Sequence, residues 1–123
     1  MEIIRRDPAM AVWWGTPVEC ASGIARLQRE GVLTAGEARS ATHSLLHLAD
    51  SWWPVQPTEW VAELAQRLVR VHPLRAGDSL QLAAALIWAG EVRAGAVMVT
   101  LDRRLAVAAD LEGLRVEGLS LAD

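Results

Sequence analysis

Residues 72 to 86, HPLRAGDSLQLAAAL, begin polar and basic and then turn almost wholly apolar. Pro73 and Gly77 punctuate the start of a new element, and Leu80, Leu82, Ala83, Leu86 and Ile87 recur at three- and four-residue steps, the spacing of a buried helix. The one acid of the stretch, Asp78, falls in the first turn of that helix. Taken alone, such a residue is a helix cap or a charge favoured by the positive end of the helix dipole. Two other acids hold comparable places: Glu19 opens another apolar helix and Asp102 ends an apolar strand. Element ends are where an α/β sheet builds its sites.

The chain has 123 residues, enough for one domain with a real core, and its 52% hydrophobic and 22% charged residues give a globular balance with no repeat or low-complexity tract. The formal charge of -3 argues against a general electrostatic grip on nucleic acid, although a local basic cluster can still supply one. A single cysteine, Cys20, excludes an internal disulfide and a cysteine-only zinc site, and its apolar setting suggests a packed thiol in a reducing cytoplasm. No charged-then-apolar leader and no apolar run of membrane-crossing length is expected. Six Trp without Phe or Tyr are read as bulk for core and interface.

In chain order, residues 1 to 9 read as a helix end running into the turn at Asp7-Pro8. Met10 to Trp14 is a short buried strand. Thr16, Pro17 and Glu19 form a capping-box pattern for a helix that runs to about Glu30 and is stopped by Gly31. Thr34 caps the next helix, which lasts to about Asp50. On it His43 and His47 lie one turn apart with no third ligand, and are read as solvated or partner-facing. Trp52 to Pro57 is an edge strand or extended connector.

Thr58 caps a helix over Glu59 to Val71, with Trp60, Val61, Leu64, Ala65, Leu68 and Val69 inward and Glu63, Arg67 and Arg70 on a solvated face. The Asp78 helix ends near Gly90, and Ala96 to Leu101 is a strand leading into Asp102. Arg103 to Leu111 is a short helix with Leu105, Val107 and Ala108 inward, and Leu114 to Leu119 a last edge strand. Helices alternating with strands imply a three-layer α/β/α sandwich around a mostly parallel sheet.

In such a sheet, helix starts and strand ends meet at one rim, so the sequence permits Glu19, Asp78 and Asp102 to converge. Three acids brought together repel unless a divalent cation sits among them or some take up protons. All-oxygen ligands suit a hard ion, Mg²⁺ or Mn²⁺, whose chemistry is that of metal-assisted phosphoryl hydrolysis. Arg75, Arg103 and Arg104 flank two of the acids and are candidates to hold substrate phosphates, with helix-end salt bridges as their plainer role. By strand alternation Thr100 shares a face with Asp102, where it would bond a carboxylate or a metal-bound water. The chain has no Gly-rich phosphate loop, no Cys/His zinc spacing, no nucleophile elbow and no basic recognition helix.

These residues together resemble the PIN-domain ribonucleases, and within them the VapC-type toxins of toxin–antitoxin pairs. TPVECASGIARL resembles the family segment carrying its second acid, which maps to Glu19. LRAGDSLQLAAAL resembles the segment with the third, Asp78, and MVTLDRRLAVAA the strand-to-helix junction with the fourth, Asp102. The resemblance covers nearly the whole chain. It implies a Mg²⁺- or Mn²⁺-dependent endoribonuclease that cuts structured RNA, a homodimer, and inhibition by a VapB-like antitoxin lying across the site.

The departure is at the N-terminus. The family opens with a strand ending in Asp and then a helix, ahead of the segment that begins here at Met10. Asp7 does not fill that role, because it precedes a proline at a turn instead of ending an apolar strand. The expectation is therefore a single PIN-like domain over residues 1 to 123, lacking the family's first strand and helix, with three of four acids. That loss would expose backbone groups of the neighbouring strands. It also sets a second reading beside the nuclease: a catalytically impaired interaction module that dimerises or binds an antitoxin. A small phosphatase on a similar sheet lacks any nucleophile motif.

Overall fold

Short strands punctuated by proline, and helices opened by threonine or aspartate, alternate along the computed structural model, which describes residues 10–92, 97–100 and 102–118. The expected turn at Asp7-Pro8, and Ala96, Leu101 and Leu119 at the expected strand ends, lie outside the described residues. The chain divides into two compact units, Met1–Pro54 and Val55–Asp123.

In the first unit, strand β1 (Ala11–Trp13) pairs with β2 (Trp53–Val55), and the Trp53 N–H donates to Met10 O at 2.9 Å. Between them run helices α1 (Thr16–Arg29) and α2 (Ala35–Ala49), packed on each other. The capping box expected at Thr16 does not form. Thr16 is already helical, Gly15 is the cap with no side-chain hydrogen bond, and Pro17 sits in the first turn, where its missing N–H is no loss. Gly31, at φ +78, ends α1 in the left-handed region open to glycine. The box appears instead at α2. There the Thr34 hydroxyl accepts from Glu37 N at 3.1 Å, and Glu37 Oε1 accepts from Thr34 N at 2.9 Å.

In the second unit, α3 (Glu59–Val71) is capped by Thr58, whose hydroxyl accepts from Val61 N at 3.3 Å. Helix α4 (Ala76–Val92) follows the turn at Pro73, and α5 (Arg103–Leu111) lies between β3 (Val97–Val99) and β4 (Arg115–Glu117). These two strands are parallel, with Val97 opposite Arg115 and Val99 opposite Glu117, so β3, α5 and β4 form a crossover unit. Helix α4 packs on both α3 and α5. The core comprises Val61, Ala65 and Leu68 of α3, Leu82, Ala83 and Ala84 of α4, and Leu105, Ala106, Ala108 and Ala109 of α5.

Some inward positions differ from expectation. Trp60, Val69 and Val107 face outward, because the stripes actually buried on α3 and α5 are narrower and use alanine. The mixed α/β class and the parallel pairing of the last two strands are borne out, with the described strands assembled as two pairs. Among the described residues no helix is long and apolar enough to cross a membrane.

Candidate functional site

Asp102 stands between β3 and α5 as the N-cap of that helix. Its backbone is extended, at φ -87 and ψ 117, and its Oδ1 accepts from Leu105 N at 3.1 Å. One carboxylate oxygen is thus committed to the helix end and the other is left for a ligand. Thr100 supports the same residue: its Oγ1 accepts from the Asp102 backbone N–H at 3.0 Å. The threonine bonds the acid's amide and not its carboxylate, and its own O–H proton is free to donate. Gly118 lies close by, at φ +97, and a Cβ there would meet the Thr100 carbonyl oxygen at 2.9 Å. Only glycine lets the chain after β4 approach the Thr100 backbone this closely.

Asp78 occupies the first turn of α4, half-buried, and bonds no other described residue. The dipole at this end of the helix favours its charge, but no capping bond uses it. Its neighbour Ser79 is fully buried with a hydroxyl that has no partner among the described residues, while the Ser79 N–H donates to Arg75 O at 3.0 Å. Arg75, Arg103 and Arg104 are exposed, and among the described residues none of them forms the helix-end salt bridge that was their plainer role. Arg103 and Arg104 open α5 immediately after Asp102, and Arg75 precedes Asp78 by less than one turn.

Glu19 belongs to the first unit, in the first turn of α1, where it is exposed. Burial first, and then the Glu19 charge, push the Cys20 thiol above its ordinary value. The structure therefore brings Asp102, Thr100, Arg103 and Arg104 to one junction and sets Asp78 on the helix packed against α5. Among the described residues, no three or more His, Cys, Asp or Glu side chains are gathered into a group that could hold a metal ion. A groove of about 890 Å³ lies elsewhere, between α1 and α2, lined by Ile24, Ala38, Arg39, His43 and Leu46 among others, and none of the three acids lines it.

The sequence reading missed Glu112. This residue caps the C-terminal end of α5 and takes Arg67 Nη2 at 2.7 Å on Oε1, with Arg67 Nη1 at 3.3 Å and His72 Nε2 at 2.7 Å on Oε2. Arg67, read as part of a solvated face, and His72, read only as a helix break, are in fact its partners, and His72 is buried. The Arg67 guanidinium first, and then His72, hold the Glu112 carboxyl below its ordinary value. A signal existed. An acid at the negative end of a helix dipole is disfavoured there unless cations come to it.

No protein-family model matches the chain. The chain is 33% identical over 117 residues to "Ribonuclease VapC45" of Mycobacterium tuberculosis (strain CDC 1551 / Oshkosh), covering 88% of this chain and 79% of that protein. The likeness to "Ribonuclease VapC49" of M. tuberculosis (strain ATCC 25618 / H37Rv) has the same identity and extent.

Proposed function

The chain belongs to the VapC ribonuclease family, and from that membership we propose that it is an endoribonuclease toxin that hydrolyses RNA phosphodiester bonds at a divalent-metal site to which Asp78 and Asp102 of the second unit contribute ligands. The observation that carries this reading is the pair of acids opening two packed helices of one unit: Asp78, with no bond to any described residue, and Asp102, with one oxygen uncommitted. Their donor chemistry fits the ion. Carboxylate oxygens match Mg²⁺ or Mn²⁺ and not a soft metal. When bound, such an ion supplies charge neutralisation and an acidified water for attack on phosphorus.

The chain's own residues do the rest. Asp78 and Asp102 supply negative charge at the rim of the second unit. Thr100 fixes the Asp102 backbone through its hydroxyl and so fixes the direction of the carboxylate. Arg75, Arg103 and Arg104 are exposed cations beside those acids, suited to grip the phosphates on either side of the scissile bond. One water is consumed, one P–O bond breaks, and the cut leaves a phosphate end and a hydroxyl end.

On the same membership we propose the three-layer PIN-like sandwich as the fold, and a second copy of the chain and a VapB-like antitoxin as partners, in the cytoplasm. Exposed Trp14, Val18, Val32, Leu46 and Trp53 of the first unit supply apolar surface for such contacts.

The test is RNA cleavage in Mn²⁺ by the parent chain, Asp78→Asn and Asp102→Asn. The parent cuts, and both variants fall to background. Equal cleavage by all three removes the catalytic assignment. A parent that neither cuts nor binds Mn²⁺ would leave the interaction module.

A further inference from the structure

Helix α5 carries a working acid at one end and a clasp at the other. Asp102 caps its start, Glu112 caps its finish, and the nine residues between make a rod of roughly 13 Å. Glu112 holds Arg67, on α3, and His72, the residue just past Val71 at which α3 stops, its backbone extended at φ -124 and ψ 150. From there the chain turns at once into the next helix. The Leu74 N–H donates to His72 O at 2.8 Å, and the Arg75 carbonyl accepts the first helical bond of α4, from Ser79 N at 3.0 Å. Asp78 lies in that first turn. The clasp therefore grips the root of the Asp78 helix with one hand and the far end of the Asp102 helix with the other. Packing joins α3 to α4 and α4 to α5, and the clasp adds a direct tie from α3 to α5.

We propose that the Arg67–Glu112–His72 clasp is a positioning device that sets the Asp78 helix against the Asp102 helix, with Glu112 as its positioning residue. The proposal rests on the reading of Asp78 and Asp102 as ion-holding acids. Glu112 touches neither substrate nor ion. It acts by fixing the angle between two helix starts, and its side chain, half-buried, bonded to the buried His72 and bidentate to Arg67, is held at both oxygens. Groups that orient metal ligands without touching the metal commonly matter about 10- to 100-fold in affinity or activity.

The test is Mn²⁺ binding by calorimetry on the full chain, with circular dichroism as the check on fold. The parent binds, and Asp78→Asn does not. Glu112→Gln keeps its helix content and binds roughly tenfold more weakly. Arg67→Ala, on the exposed side of the clasp, shifts affinity in the same direction by less, and Arg67→Lys recovers part of that loss. In RNA cleavage Glu112→Gln lowers kcat and leaves KM for RNA unchanged.

A merely structural role would reduce the fraction of sites that bind and leave the Kd of the rest untouched, so the Kd separates the two. A parent-like Kd in Glu112→Gln overturns the clasp while the ion site stands. If Glu112→Gln fails to fold, a parent-like Kd in Arg67→Ala does the same. A parent that binds no Mn²⁺, or an Asp78→Asn that binds like the parent, overturns the ion site and the clasp with it.

Discussion

The two units of this chain are packed to different standards. Residues 55–118 bury leucine, valine and a run of alanines from three helices, with Leu68 and Leu82 fully enclosed. Residues 10–54 bury Trp13 and Ala38, while α1 buries nothing and Val18 and Trp53 stand 69% and 70% exposed. The better-packed unit holds Asp78, Asp102, the three arginines and Thr100; the other holds Glu19 and, on a shorter stretch of chain, six of the twelve exposed large apolar side chains among the described residues. On the proposed function, precision falls to the filled unit and partner contact to the other. A site that must hold carboxylates to a fraction of an ångström is built on a filled core. A surface that meets other chains leaves its apolar side chains in water until they arrive.

The sharpest way to break this comparison is to empty one position in each unit. Leu82→Ala removes a fully enclosed side chain and is expected to cost about 2–5 kcal/mol in urea unfolding, because its neighbours cannot close over the gap. Leu46→Ala, at a position 62% exposed, is expected to change stability by less than about 0.5 kcal/mol. Similar costs at both places would mean that the first unit is as tightly built as the second.

An acid titration comes next in size. Glu112 is held below its ordinary value of 4.5 by Arg67 and then His72. A carboxyl whose folded value is depressed contributes stability that is fully present above the unfolded value and is lost as pH falls through the folded one. The parent should therefore lose stability on acidification below about pH 4.5, and Glu112→Gln should lose less over the same window while starting about 1–2 kcal/mol lower at neutral pH. Thermal midpoints measured across pH 3 to 7 in both proteins give the difference. Parallel curves would remove Glu112 from the account.

Smaller again is Thr34→Ala. The capping box at the start of α2 is the best-formed local device of the first unit, and its loss should cost about 1 kcal/mol in thermal unfolding while RNA cleavage per folded molecule stays the same. A fall in cleavage would tie α2 to the site.

Where chain chemistry is local, the sequence spoke clearly. Thr34 and Thr58 as caps, Gly31 as a stop, and the bounds of α3 and α5 follow from residues within one turn of each other, and all stand in the structure. Thr16 failed for an equally local reason: Gly15 took the cap and left the threonine inside the helix. The burial of α5 was harder to see. Val107 looks more apolar than Ala106 or Ala109, yet only a small side chain fits where these helices come close, so the alanines went in and the valine out. The clasp was beyond reach, since Glu112 lies forty and more residues from its partners and no period links them. For the site, the sequence placed Asp78 and Asp102 at helix starts, and what it could not supply was the employment of each oxygen. Asp102 is half spent on Leu105; Asp78 has no such use.

The smallest expected effect has the opposite sign and falls beside Asp78. Ser79 is fully enclosed, its N–H is satisfied by Arg75, and its hydroxyl has no partner among the described residues. A buried hydroxyl in that condition costs about 1–3 kcal/mol, and alanine is also the better helix former by a few tenths of a kcal/mol. Against this stands the small void left by an oxygen in a close-packed layer, which returns part of the gain. Ser79→Ala is therefore expected to raise stability slightly, by about 0.5–1 kcal/mol, seen as a higher Tm. The better-packed unit would then have kept a flaw one residue from Asp78, the kind of local cost that folds tolerate where a site has to work. A lower Tm in Ser79→Ala would show the hydroxyl to be bonded in the working protein, and the packing of this unit to be without that flaw.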